Sequence, residues 1–160
     1  MSTYFNATVD LAGYYYQQAA STVADIQAIA LKAGGLQADD VLADHATLAA
    51  IITAGNVEAD FTNYVRKTVS APTRTVVNAT DRTHLGGAAV GTAHTITWSL
   101  AGGATNNQLG KIVLMYVPNP GTSTNAEILP LSAHDITATT DGNDLVITFH
   151  VDGAIRYRKP

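Results

Sequence analysis

Val41, Leu42, His45, Leu48, Ala49 and Ile52 recur at helical spacing, which predicts one short helix over 40–54 with a single buried stripe. Asp39 or Asp40 stands where an N-cap would oppose the helix dipole, and Gly55 stands where a left-handed C′ residue is wanted. After Gly55 the period changes. Phe61 to Val69 alternates in the manner of a strand, predicted over 62–69.

The rest of the chain reads mostly as β. Residues 24–32 place Ile26, Ala28 and Ala30 on one face and Asp25, Gln27, Ile29 and Leu31 on the other, a strand for which the alanines keep a helix open. Further strands are predicted at 73–79, 94–100, 111–117, 135–140 and 145–151, with a short one near 154–158. The segment 84–93 reads as a Gly-rich loop and 101–110 as a long turn. Ile112 to Val117 is apolar on both faces, which suits a central, doubly covered strand. The stretch DITATTDGNDLVITFHV predicts a hairpin turning at Asp141-Gly142 or Gly142-Asn143, with Leu145, Ile147, Phe149 and Val151 facing inward.

Residues 1–20 hold Tyr4, Phe5, Val9, Leu11, Tyr14, Tyr15 and Tyr16, including four of the seven tyrosines. Two readings stand: a short helix packed on its own domain, or an arm docking on a neighbouring subunit through Tyr4, Phe5, Tyr14, Tyr15 and Tyr16. The expected fold is mainly β, an antiparallel sandwich or jelly-roll-like domain over 21–160 that includes the helix at 40–54, preceded by the N-terminal arm or helix.

Composition narrows the function classes. Charged residues make up 14% of the chain, against roughly 25% in ordinary soluble domains, which suits a surface partly covered by neighbours. Residues 1–60 carry seven acids and one lysine, and residues 61–160 carry six acids and eight bases. That polarity could align subunits head to tail, but nothing is basic enough to predict nucleic-acid binding. Cysteine is absent, which excludes disulfides, thiolate nucleophiles and Cys-ligated zinc. The first residues lack the basic and apolar regions of a secretory signal, and no window reaches the about 18 apolar residues of a membrane span. A soluble product that starts in the cytoplasm is expected.

No chemistry-bearing motif survives inspection. In GGATNNQLGK the first glycine of a phosphate-binding loop would fall at Thr105, Ile112 follows Lys111, and a strand follows where a helix is required. His45, His84, His94, His134 and His150 are scattered singly. Asp44-His45 beside Asp39 and Asp40 is better explained by capping and packing than by a metal, and Asp141-Gly142-Asn143-Asp144 by a turn than by calcium. Asn6-Ala7-Thr8 and Asn78-Ala79-Thr80 match the glycosylation pattern without a secretory signal. Glu58 is placed to pair with Arg66 or Lys67. Trp98, in HTITWSL, is the one large aromatic platform, and both burial and exposure stay open for it. The expectation is a non-enzymatic protein without catalytic residues, cofactor or metal.

The run from Asp44 through Thr47-Leu48-Ala49-Ala50-Ile51-Ile52, Ala54-Gly55-Asn56, Glu58-Ala59, Thr62, Tyr64 and Arg66-Lys67 resembles a pattern shared by a group of tailed-bacteriophage virion structural proteins. The resemblance continues at Gly102-Gly103-Ala104, Leu109-Gly110-Lys111-Ile112-Val113, Tyr116, Ile128-Leu129-Pro130-Leu131, His134-Asp135 and Asp141-Gly142, covering roughly residues 36–145. It departs at Val65, where the pattern has Ala, and in the long segment 84–93. It implies a place in the virion and no chemistry. Together with the low charge and the aromatic arm, it leads to the expectation of a capsid decoration (cement) protein. That protein would be a homotrimer assembled in the host cytoplasm, bound to the major capsid protein and to neither nucleic acid nor membrane. The alternative is a tail or fibre module that recognises a host-surface glycan.

Overall fold

The structure is a computed structural model, described for residues 2–8, 11–69, 73–78, 83–87, 95–149 and 155–158, with Ser2, 73–78, 83–87 and 155–158 described by backbone alone. The fold is mainly β, with antiparallel sheets in a sandwich-like arrangement. In chain order the elements are β1 (Ser2–Tyr4), α1 (Ala12–Ser21), β2 (Asp25–Lys32), α2 (Asp39–Ala43), α3 (Leu48–Thr53), β3 (Lys67–Thr68) and β4 (Thr73–Asn78). They continue with β5 (Thr83–Gly87), β6 (Thr95–Trp98), β7 (Gln108–Val117), β8 (Leu129–Thr139), β9 (Leu145–Thr148) and β10 (Ile155–Arg158).

A five-stranded sheet, ordered β1-β8-β7-β2-β3, forms the centre. Strand β7 lies between β8 and β2 and is covered on both faces, as its uninterrupted apolar run requires. On one face Ile112 and Leu114 pack with Ile26, Ala28, Tyr16 of α1, and Trp98 of the β6–β9 ladder. On the other, Val113, Met115 and Val117 pack with Leu42 of α2, Leu48 and Ile51 of α3, and Phe5. The alternation of one strand thus divides the core in two. The three-stranded sheet β10-β5-β4 lies beside α1.

The predicted helix over 40–54 is two helices. Asp44 ends α2, and Thr47 begins α3 by accepting the Ala50 amide at 3.2 Å. A β-region Thr in mid-helix gains this cap by interrupting the helix. His45 therefore leaves the predicted stripe, and its Nε2 meets Gln37 Oε1 at 2.8 Å. Asp39 and Asp40 sit in the first turn of α2 without capping it, whereas Gly55 has the expected left-handed φ of 97°. With α1, which takes the packed-helix reading left open for residues 1–20, the described residues hold three helices.

Two β assignments also change. Only Lys67–Thr68 of the predicted strand 62–69 pairs, with Gln27 and Ala28 of β2. The chain touches β2 earlier, where the Lys32 amide donates to Val57 O at 2.8 Å and the Ala59 amide to Ala30 O at 2.9 Å. Between these contacts it steps away through Asn63, at φ 69°. The Asp141-Gly142 turn forms, with Gly142 at φ 98° and the Asn143 amide donating to Asp141 Oδ1, but it closes no hairpin. Strand β8 pairs with β7 and β1, while β9 pairs with β6. Residues 84–87 of the expected glycine loop lie in β5, and 88–94 lie outside the described residues, as does Val151.

Candidate partner-binding surface

The N-terminal segment crosses the edge of the central sheet. Ser2, Thr3 and Tyr4 pair with His134, Ala133 and Ser132 of β8. Phe5 then enters the core on the α2–α3 side and is wholly buried. Bonds from the Asn6 amide to Ala43 O (2.9 Å), Asn6 Nδ2 to Asp44 Oδ1 (2.7 Å) and Thr8 Oγ1 to Pro130 O (2.6 Å) fix the passage. Helix α1 follows on the opposite face of the sheet, with Ala12, Tyr16 and Ala19 buried.

The five residues singled out in the sequence are thus divided. Phe5 and Tyr16 belong to the domain's own cores. Tyr4 is half-buried against one of them. Tyr14 is 53% exposed, and Tyr15 is half-buried beside it. The Tyr14 and Tyr15 rings meet edge to face at 5.6 Å, and Tyr15 leans on Tyr116 of β7 at 4.7 Å. Burial, then the neighbouring Tyr14 and Tyr15 hydroxyls, push the Tyr116 phenol up, which places three phenols close together. Tyr116 was missed in the sequence because it sits in an apolar strand far along the chain. The Tyr16 hydroxyl is buried without a hydrogen-bond partner, and burial pushes its pKa up.

The residues of the run from Asp44 to Lys67 hold the scaffold together. Thr47 caps α3, and Leu48 and Ile51 fill the core. Buried Asn56 donates to Gln37 Oε1 (2.6 Å) and Ile51 O (3.0 Å) and accepts the Gln37 amide (3.0 Å). Arg66 grips Glu58 through two bonds of 2.9 and 2.8 Å, the pairing expected from the sequence. Tyr64 OH donates to Glu58 Oε1 at 2.9 Å while accepting the Ala30 amide at 3.2 Å. The Thr105 amide donates to Thr62 Oγ1 at 2.9 Å. Together these groups fasten residues 56–69 along the outer edge of β2, which would otherwise present unpaired backbone.

The remaining candidates are structural too. Lys111, in a strand and not a phosphate loop, is buried between Asp39 (2.6 Å) and Asp135. Its cation holds both carboxyls below the usual carboxylate range. Trp98 is wholly buried, its Nε1 donating to Val65 O at 2.8 Å. Among the described residues no three His, Asp or Glu side chains gather as a metal site. His94 and His150 lie outside those residues.

No family model, no curated protein and no solved structure matches the chain.

Proposed function

We propose that this protein is a non-enzymatic structural component of a tailed-phage virion, a decoration protein that binds the major capsid shell. The observation that carries the reading is the string from Asp44 to Lys67. Its residues resemble those of virion structural proteins, and their side chains cap, pack and pair without converging on a reactive centre. The low charge and the exposed end of α1 add support, since interface cores are depleted in charge and rich in tyrosine. A homotrimer suits threefold positions on an icosahedral shell, where linked sites raise avidity by roughly 10²–10⁴. Assembly would take place in the host cytoplasm.

The test is binding to heads that lack the protein. Purified chain is expected to co-sediment with such heads and to saturate at a fixed ratio to capsid subunits. Chain that stays in the supernatant with heads, yet pellets with tails, would reverse the assignment. The rival reading, a glycan-recognising tail module, loses the Trp98 platform on which its sequence argument rested, because that ring is buried.

A further inference from the structure

We propose that His134 is an acid-operated latch on the N-terminal strand: its protonation releases Ser2–Tyr4 from the β8 edge while Phe5 stays in its core. The proposal does not rest on the shell reading. Strand β1 is held differently on the two faces of the sheet. On the α2–α3 side, Thr3 is the register partner of Ala133 and hydrogen-bonds Asp39. On the α1 side, Ser2 and Tyr4 are the register partners of His134 and Ser132, level with Ile112 and Leu114 of β7. There the His134 ring meets Ser132 Oγ at 2.9 Å and stands edge to face with the buried Phe149 ring at 5.0 Å. Tyr4 of β1 and Tyr16 of α1 are the phenols packed on this side.

A proton on that ring is opposed by burial, then by the N-terminal ammonium that leads into β1, and least by Lys111 of β7. Asp135 favours the charge, but it is paired with Lys111, which also holds Asp39, on the other face of β8. The element that yields is β1. It pairs with one neighbour over three residues, whereas β8 is also bonded to β7 along most of its length. Phe5 sets the limit of the release, since its ring is wholly buried and the Asn6 amide donates to Ala43 O at 2.9 Å. Acid thereby uncovers the backbone of β8 that β1 covers at neutral pH, and an open edge is the form that can pair with another strand.

The experiment is amide hydrogen exchange of the full chain by NMR, in water and in dilute urea. The Phe5 amide donates to Leu131 O, so antiparallel alternation makes Thr3 and Ala133 the next pair to exchange bonds. Their protection, corrected for intrinsic rates, should fall between about tenfold and thirtyfold from about pH 7 to about pH 5. That drop follows from a ring pKa of about 4 when latched and 6.5 when released. The opening exposes little surface, so it should not respond to dilute urea, while exchange at Leu114 in the centre of the sheet should. In His134→Gln the same two amides should change by less than about twofold. A wild-type change below about twofold, or an equal fall in His134→Gln, overturns the proposal. So does a urea dependence at Thr3 and Ala133 that matches Leu114, which would make the loss global unfolding. This last comparison uses the wild type alone and decides the matter even where the variant folds poorly.

Discussion

Phe5 and Tyr16 are buried on opposite faces of the same five-stranded sheet, so the N-terminal segment wraps the β8 edge and plugs both cores. A freely removable arm does not behave this way. Phe5→Ala is expected to cost about 3–5 kcal/mol, read as a lower urea midpoint with an unchanged slope. Removal of residues 1–16 should leave a chain with poor cooperativity. A truncated protein that unfolds at the wild-type midpoint would show that the segment is an appendage.

Tyr16 carries the opposite expectation. Its hydroxyl is buried without a partner, and leaving such a group unsatisfied costs about 1–3 kcal/mol. Tyr16→Phe keeps the ring and removes that cost, so thermal unfolding should move upward. A drop in melting temperature would mean that the hydroxyl is bonded in solution.

His134 makes the fold sensitive to acid. Burial, then the N-terminal ammonium and least the Lys111 cation, lower its pKa from 6.5 to about 4, with Asp135 opposing; the ring meets Ser132 Oγ at 2.9 Å and the edge of Phe149 at 5.0 Å. The folded state therefore binds the proton less readily than the unfolded chain, and stability falls as pH drops from about 6.5 toward 4. Below that window Asp39 and Asp135, both held low by Lys111, add their own loss as they protonate. His134→Gln should flatten the upper part of the decline and leave the lower part in place. Equal slopes in both proteins between pH 6.5 and 4 would exclude His134 as the cause.

Arg66 and Glu58 fasten the strap over β2. A double-mutant cycle through Arg66→Ala and Glu58→Ala should return a coupling on the order of 1 kcal/mol, since both side chains keep some solvent contact. Hydrogen exchange at the Ala30 and Lys32 amides should quicken in either single variant, because those amides bond to Tyr64 and Val57 of the strap. Exchange unchanged in both variants would detach the ion pair from the edge closure.

Local signals in this chain were readable where one residue decides the outcome. Gly55 and Gly142 take the positive φ expected of them, and the β7 run is buried on both faces as its composition demands. Pairing was not readable in the same way. The Asp141-Gly142 turn is sound, yet β9 joins β6 because Leu145 and Ile147 reach the same core as Trp98. Thr47 split a helix whose apolar spacing continued through it, since its cap needs an extended backbone that periodicity does not register. The tyrosine cluster was half legible: Tyr14 and Tyr15 stand out in the sequence, but Tyr116 joins them only through the antiparallel pairing of β7 with β2 beneath α1.

The proposed place on the phage head is decided by a cryo-electron map of the intact virion with this chain traced in it. Copies are expected at many equivalent positions over the outer surface of the head, grouped in threes, with Phe5 and Tyr16 buried in each protomer's own cores. Density for this chain confined to the tail, or absent from the particle, would contradict it.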